Sequence, residues 1–214
     1  ANTDSLILGP DTYINFTNSA RTLRILNNYS TGYVYSEARI EVFDQMNTAI
    51  QNDGKMILAA SSHIKTVALG APITNGGELL NQGTILLDKA MTGFSNTGTF
   101  TNEGHINVNR FGSYSLNNTG TFTNKGHFET GNSTKGIFND GGIIENQNVM
   151  EIDSVFENAI SQQGANSTFT NTTTGKIYID FVFQNGIKND AGSFVNNGEI
   201  YVAQSDTVAL AGVE

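Results

Sequence analysis

Apolar and polar residues alternate in short runs through most of residues 73–202, and the runs return in one fixed order, apolar-x-Asn-x-Gly-x-apolar-x-apolar. The order starts at Leu79-Asn81-Gly83-Ile85-Leu87 and returns at Phe100-Asn102-Gly104-Ile106-Val108 and Phe122-Asn124-Gly126-Phe128. It continues through Ile144-Asn146-Asn148-Met150-Ile152, Phe169-Asn171-Gly175-Ile177-Ile179 and Phe194-Asn196-Gly198-Ile200-Val202, at intervals of 21 to 25 residues. Alternation with period two describes strands with one buried face, and helical spacing is absent there. A strand, a corner and a second strand that return at this interval predict a stacked solenoid. The fold expected is all-β, a parallel β-helix with coils of about 22 residues.

The position between the two apolar runs holds Gly83, Gly104, Gly126, Asn148, Gly175 and Gly198. Glycine and asparagine are the residues that best tolerate a left-handed backbone, so a corner with φ > 0 is expected in every coil. Stacking also predicts an amide ladder, in which Asn81, Asn102, Asn124, Asn146, Asn171 and Asn196 each donate to the next coil's side-chain carbonyl. Asparagine as an independent turn former is the alternative. Leu79, Phe100, Phe122, Ile144, Phe169 and Phe194 are expected to stack inward, each contributing about 1.5–3 kcal/mol on full burial.

A weaker pattern precedes the first, in Ile73-x-Asn75, Phe94-x-Asn96-x-Gly98, Leu116-x-Asn118-x-Gly120, Phe138-x-Asp140-x-Gly142 and Ile187-x-Asn189. It predicts another strand and corner per coil. Phe156-x-Asn158 and Phe183-x-Asn185 read as the same device in the longer last coils, with residues 156–168 and 183–190 as candidate protruding loops. Residues 1–72 do not follow the repeat. Their short alternating runs at Tyr13–Phe16, Thr22–Ile25 and Lys55–Leu58 suggest irregular coils or an N-terminal cap of the same solenoid. The regular coils are then 73–214, in a single domain. Ser36–Met46 fits helix or strand and is assigned to strand.

Composition narrows the partners. Among 214 residues only 14% are charged and 23 are glycine, so the surface is built from Asn, Thr, Ser and Gln, as in extracellular β proteins. A net charge of −9 argues against nucleic acid and against an anionic membrane surface. The absence of cysteine excludes disulfides, thiolate zinc sites and a thiol nucleophile. No apolar run reaches membrane-spanning length, so no membrane insertion is expected in this segment. The C-terminal Val208–Glu214 carries no polar terminator, which suggests a part of a longer surface protein.

Catalytic constellations are hard to find. Asp140, Asp153, Asp180, Asp190 and Glu145 read as scattered rather than gathered at one coil register beside a cation, so no catalytic residue, cofactor or metal is assigned. His105 and His127 are one coil apart and expected to be vertical neighbours, but Thr84 and Val149 flank them in that column. They read as exposed polar residues on a strand. A candidate binding face is the outward array Thr99, Thr101, Thr121, Thr123, Thr168 and Thr170, the kind of surface that orders water in an ice-binding solenoid. Ile143 and Glu145 interrupt it, and threonine is also simply a good strand residue. Several Asn-x-Ser/Thr acceptor sequences, Asn171-Thr-Thr173 among them, are accounted for by composition alone.

The segments Asn96-Thr-Gly-Thr-Phe-Thr-Asn-Glu-Gly104 and Asn118-Thr-Gly-Thr-Phe-Thr-Asn-Lys-Gly126 resemble the low-charge Asn/Gly/Thr repeats of bacterial surface adhesins. These are proteins similar to filamentous haemagglutinin and autotransporter passenger domains. The resemblance covers residues 73–202 and implies a right-handed parallel β-helix, a hand the usual crossover rule also favours. It further implies a secreted or cell-surface location and a non-catalytic adhesin role toward a host or environmental glycan or surface protein. The Asn-Pro-Asn-Gly motif of two-partner secretion domains, an Arg-Gly-Asp motif and the Gly-Gly-Ala repeat of chlamydial passengers are all absent. The same fold serves polysaccharide-processing enzymes and phage tailspike-like receptor binders, and these with an ice-binding solenoid remain the alternatives.

Overall fold

The computed structural model describes residues 4–17, 24–43, 48–67, 70–109 and 112–211. Thr22, Leu23, Met46 and the last three residues, on which some of the readings above fall, lie outside them. The chain is a parallel β-solenoid of about eight turns of roughly 23 residues. Three strands per coil build three sheets of nine strands each, and every strand pairs in parallel with its equivalent one coil away. The first sheet runs from Ser5–Leu8 to Ser193–Asn196, the second from Tyr13–Phe16 to Glu199–Ser205, and the third from Leu26–Asn28 to Val208–Ala211. The first strands of all three sheets come from the N-terminal stretch that lacks the repeat, and Arg39–Phe43 is a strand of the second.

The predicted inward column is present in order. Leu79, Phe100, Phe122, Ile144 and Phe169 are buried and in register, with Phe194 partly buried at the last coil. Columns from the other two sheets meet it along the axis, so that Phe100 packs on Phe94 at 5.3 Å, on Phe122 at 5.2 Å, and Phe122 on Phe128 at 5.6 Å between ring centroids. Tilted and edge-on rings add electrostatic attraction to area burial, and no single coil could bury such a core alone.

The amide ladder is also present. Asn81, Asn102, Asn124, Asn146 and Asn171 each donate Nδ2 to Oδ1 of the next asparagine at 2.7–2.9 Å, ending on Asn196. Its first rung is incomplete. The residue below Asn81 is Leu58, and Asn81 Oδ1 is buried without a donor. A second ladder, not foreseen as one, ends the third-sheet strands: Asn28, Asn52, Asn75, Asn96, Asn118, Asn139, Gln162 and Asn189 are joined at 2.7–3.2 Å. The two ladders have one cause. Each sits at or next to the last residue of a strand, where the chain turns and the free amide satisfies carbonyls such as those of Gly98 and Val149.

Three expectations are corrected. The corner residues Gly83, Gly104, Gly126, Asn148, Gly175 and Gly198 do not have positive φ; that conformation occurs at Lys89, Asn132, Ser154, Gly141, Gly164 and Gly192. Glycine serves crowding instead: a Cβ on Gly104 would strike the carbonyl of Gly83 in the coil beneath, and one on Gly126 would strike that of Gly104. Asn148, with ordinary φ, directs its amide to the carbonyl of Lys125 at 3.1 Å. Second, the third-sheet register is Ile137-x-Asn139, not Phe138-x-Asp140, because Ile137 aligns with Leu116 and Asn139 with Asn118. Phe138 then lies on the outer side, stacked on Tyr114 at 4.8 Å. Third, residues 156–168 and 183–190 are not protruding loops. Asn158–Gln163 and Asn185–Asn189 are third-sheet strands, and Phe156 and Phe183 lie outside the core, stacked on each other at 5.2 Å.

Candidate functional site

The second sheet carries outward columns that the register makes explicit. Asn107, Glu129, Glu151, Tyr178 and Tyr201 stand above one another on five successive coils. Beside them run Asn109, Gly131 and Asp153, with Asp180 at the equivalent end of the next strand. Gly131 has no side chain to continue that second column, and the left-handed backbone of Asn132 and Ser154 turns the chain away just beyond it. A groove of about 550 Å³ results, floored by Thr130, Ile152 and Ile179 and walled by the two columns. Asn132 closes one side, its Nδ2 held by Asn109 Oδ1 at 2.9 Å.

The groove joins three kinds of group. Tyr178 and Tyr201 are 37% and 61% exposed, so their rings are offered to a ligand rather than spent on the core. Asparagine amides supply donors and acceptors. Glu129, Glu151, Asp153 and Asp180 supply carboxylates, and no lysine or arginine is among the described residues that line it. The reading of Asp153 and Asp180 as scattered is therefore corrected: together with Glu129 and Glu151, which the sequence reading passed over, they gather on one face. Asp140, Asp190 and Glu145 stay apart from it, with Asp190 held by Lys188 at 2.9 Å. Glu129 and Glu151 each directly follow the first apolar residue after the corner, as Tyr178 and Tyr201 do, so the repeat itself aligns them; their unlike chemistry kept the column from standing out in the sequence.

His105 and His127 are vertical neighbours as expected, their rings edge to face at 4.9 Å, with Thr84 below and Val149 above. Each faces a groove carboxylate diagonally: His105 Nε2 is 3.8 Å from Glu129 and His127 Nε2 is 3.3 Å from Glu151. The His127 nitrogen is sealed from water yet makes no hydrogen bond, so its contact with Glu151 lies off the hydrogen-bond axis. Among the described residues no group of three or more His, Asp or Glu is placed to hold a metal ion. No family profile, curated protein or solved structure matches this chain.

A second polar cluster lies on the same sheet near the N-terminal end. Arg39 Nε and Nη2 donate to Glu41 at 3.0 and 2.6 Å, and Tyr13 Oη donates to the same carboxylate at 2.8 Å. These two partners, Arg39 first, hold the Glu41 carboxyl below its ordinary range. His63 is pushed down by burial first and then by the Arg39 charge. Glu41 spends its carboxylate on these two neighbours, and the cluster braces the first coils.

The threonine array is aligned but short. Thr99 pairs with Thr121 and Thr101 with Thr123, after which Ile143 and Glu145 intervene before Thr168 and Thr170. Only two coils are contiguous. The concavity of the groove was legible in neither composition nor motif, but its main column was, since Asn107, Glu129, Glu151, Tyr178 and Tyr201 each follow the first apolar residue after the corner.

Proposed function

We propose that this chain is a non-catalytic, extracellular adhesion module, a rod that holds a glycan in the second-sheet groove. The observation that carries the reading is the tyrosine pair in register on adjacent coils, exposed at the end of a concave surface of amides and carboxylates. Sugar rings present apolar faces that aromatic rings cover and hydroxyls that amide and carboxylate groups bind, and few polar groups fixed on a rigid scaffold give orientation. Parallel strands fix the column spacing at roughly 4.8 Å, close to the length of one sugar unit, so successive coils offer equivalent groups to successive residues of a polymer. The Asn/Gly/Thr repeats, which resemble those of bacterial surface adhesins, agree with a secreted or cell-surface setting.

A glycan array probed with the wild-type chain and with the double variant Tyr178→Ala/Tyr201→Ala tests this. Binding to a glycan class that falls at least about tenfold in the variant is expected. Hits that survive the double variant unchanged would remove the groove from the reading. A hydrolytic role is the second reading, favoured by Glu129 and Glu151 occupying paired positions on neighbouring strands, where two carboxylates could flank one glycosidic bond. Release of reducing ends from a polysaccharide panel would favour it over simple adhesion.

A further inference from the structure

Charge in the groove is one-sided. Glu129, Glu151, Asp153 and Asp180 share a surface with two tyrosine rings. Beside it, the imidazoles of His105 and His127 face Glu129 and Glu151, and Lys176 pairs with Glu199 at 3.4 Å. Asp153 and Asp180 make no ion pair among the described residues. A groove built this way repels an anionic sugar polymer and offers a neutral one hydrogen bonds from hydroxyls to its carboxylates without a balancing charge. An ammonium group gains twice, through charge-assisted hydrogen bonds to a carboxylate and through attraction to the face of a tyrosine ring.

Resting on the reading of the groove as a glycan site, we propose that its ligand class is an amino-sugar polymer carrying free, protonated amines. The tyrosine column takes the sugar faces, and the carboxylate columns take the ammonium groups of the same chain. Gly131 leaves a gap in the second wall, between Asn109 and Asp153, where a side chain would otherwise stand, and the gap allows an amine to approach between them.

The test is titration calorimetry with glucosamine oligomers, N-acetylglucosamine oligomers and galacturonate oligomers at pH about 5.5, where amines are protonated and carboxylates ionised. The free-amine oligomers are expected to bind at least about tenfold more tightly than the acetylated ones, and to weaken strongly between about 20 and about 500 mM salt. The galacturonate oligomers are expected not to bind. Glu151→Gln and Tyr201→Ala should each weaken amine binding about five- to tenfold. Glu78→Gln, a carboxylate on the first sheet that pairs with Lys55, should leave it unchanged. Equal binding of acetylated and free-amine oligomers would overturn the charge selection while leaving a glycan groove in place. Equal losses in Glu78→Gln and Glu151→Gln would overturn it in favour of diffuse attraction by an acidic protein. Failure of the free-amine oligomers to bind would overturn the amine selection, while the glycan array with the tyrosine double variant decides the groove reading beneath it.

Discussion

Replacing Asn124 by alanine tests whether the amide ladder is a stabilising network or a by-product of turns. Asn124 is fully buried, accepts from Asn102 at 2.8 Å, and donates to Asn146 Oδ1 and to the Val149 carbonyl, both at 2.9 Å. Alanine leaves Asn146 Oδ1 without a donor in a place water does not reach. It also takes one acceptor from Asn102, whose amide keeps its contacts to the carbonyls of Gly104 and His127. At about 1–3 kcal/mol for an orphaned buried group, and less for the partly compensated one, the cost should be about 2–4 kcal/mol. Asn196→Ala is the matched control, because Asn196 is exposed and its loss leaves Asn171 bonded to two carbonyls. Its cost should stay below about 1 kcal/mol. Urea unfolding followed by circular dichroism reads both, with the interior variant's midpoint falling by roughly 1 M or more and the slope unchanged. Equal midpoints for the two variants would show that the stacked amides contribute little beyond local turn preference.

Gly104→Ala should destabilise by about 3 kcal/mol or more, measured the same way, because the new methyl group meets the backbone of the coil below rather than a movable side chain. Gly141→Ala, where the obstacle is a φ of 75° in open space, should cost only about 1 kcal/mol; the reverse order would restore backbone conformation as the reason for the corner glycines. Acid should destabilise the first coils in two stages. His63 binds its proton less readily in the fold than at its ordinary 6.5, so its contribution is present above that pH and is lost as pH falls through the lowered value. Glu41, held below its ordinary 4.5, contributes above that pH and loses its contribution as pH falls further. Melting temperatures against pH should therefore fall less steeply below about 4.5 in Glu41→Gln than in the wild type, and parallel curves would refute that assignment.

The sequence by itself determined the architecture of the rod. Inward rings and buried amides must recur once per coil because each has the same neighbour above and below, so Phe100 and Phe122, or Asn102 and Asn124, announce the stacking by repetition. The second ladder was harder to see, since Asn28 and Asn52 lie in the stretch without the repeat, Gln162 in a stretch read as a loop, and Phe138 beside Ile137 offered two registers, of which hydrogen bonding between strands chose the one that buries Asn139. The logic of repetition also misassigned the corner glycines, since clearance from a neighbouring coil and freedom of φ leave the same residue in the chain. Only the tertiary structure decided the groove. Outward residues face solvent and carry no obligation to repeat in chemistry, so Glu129, Glu151, Tyr178 and Tyr201 hold one position of the repeat with unlike side chains. They become a groove only where the neighbouring column of Asn109, Gly131 and Asp153 and the turn at Asn132 wall them in.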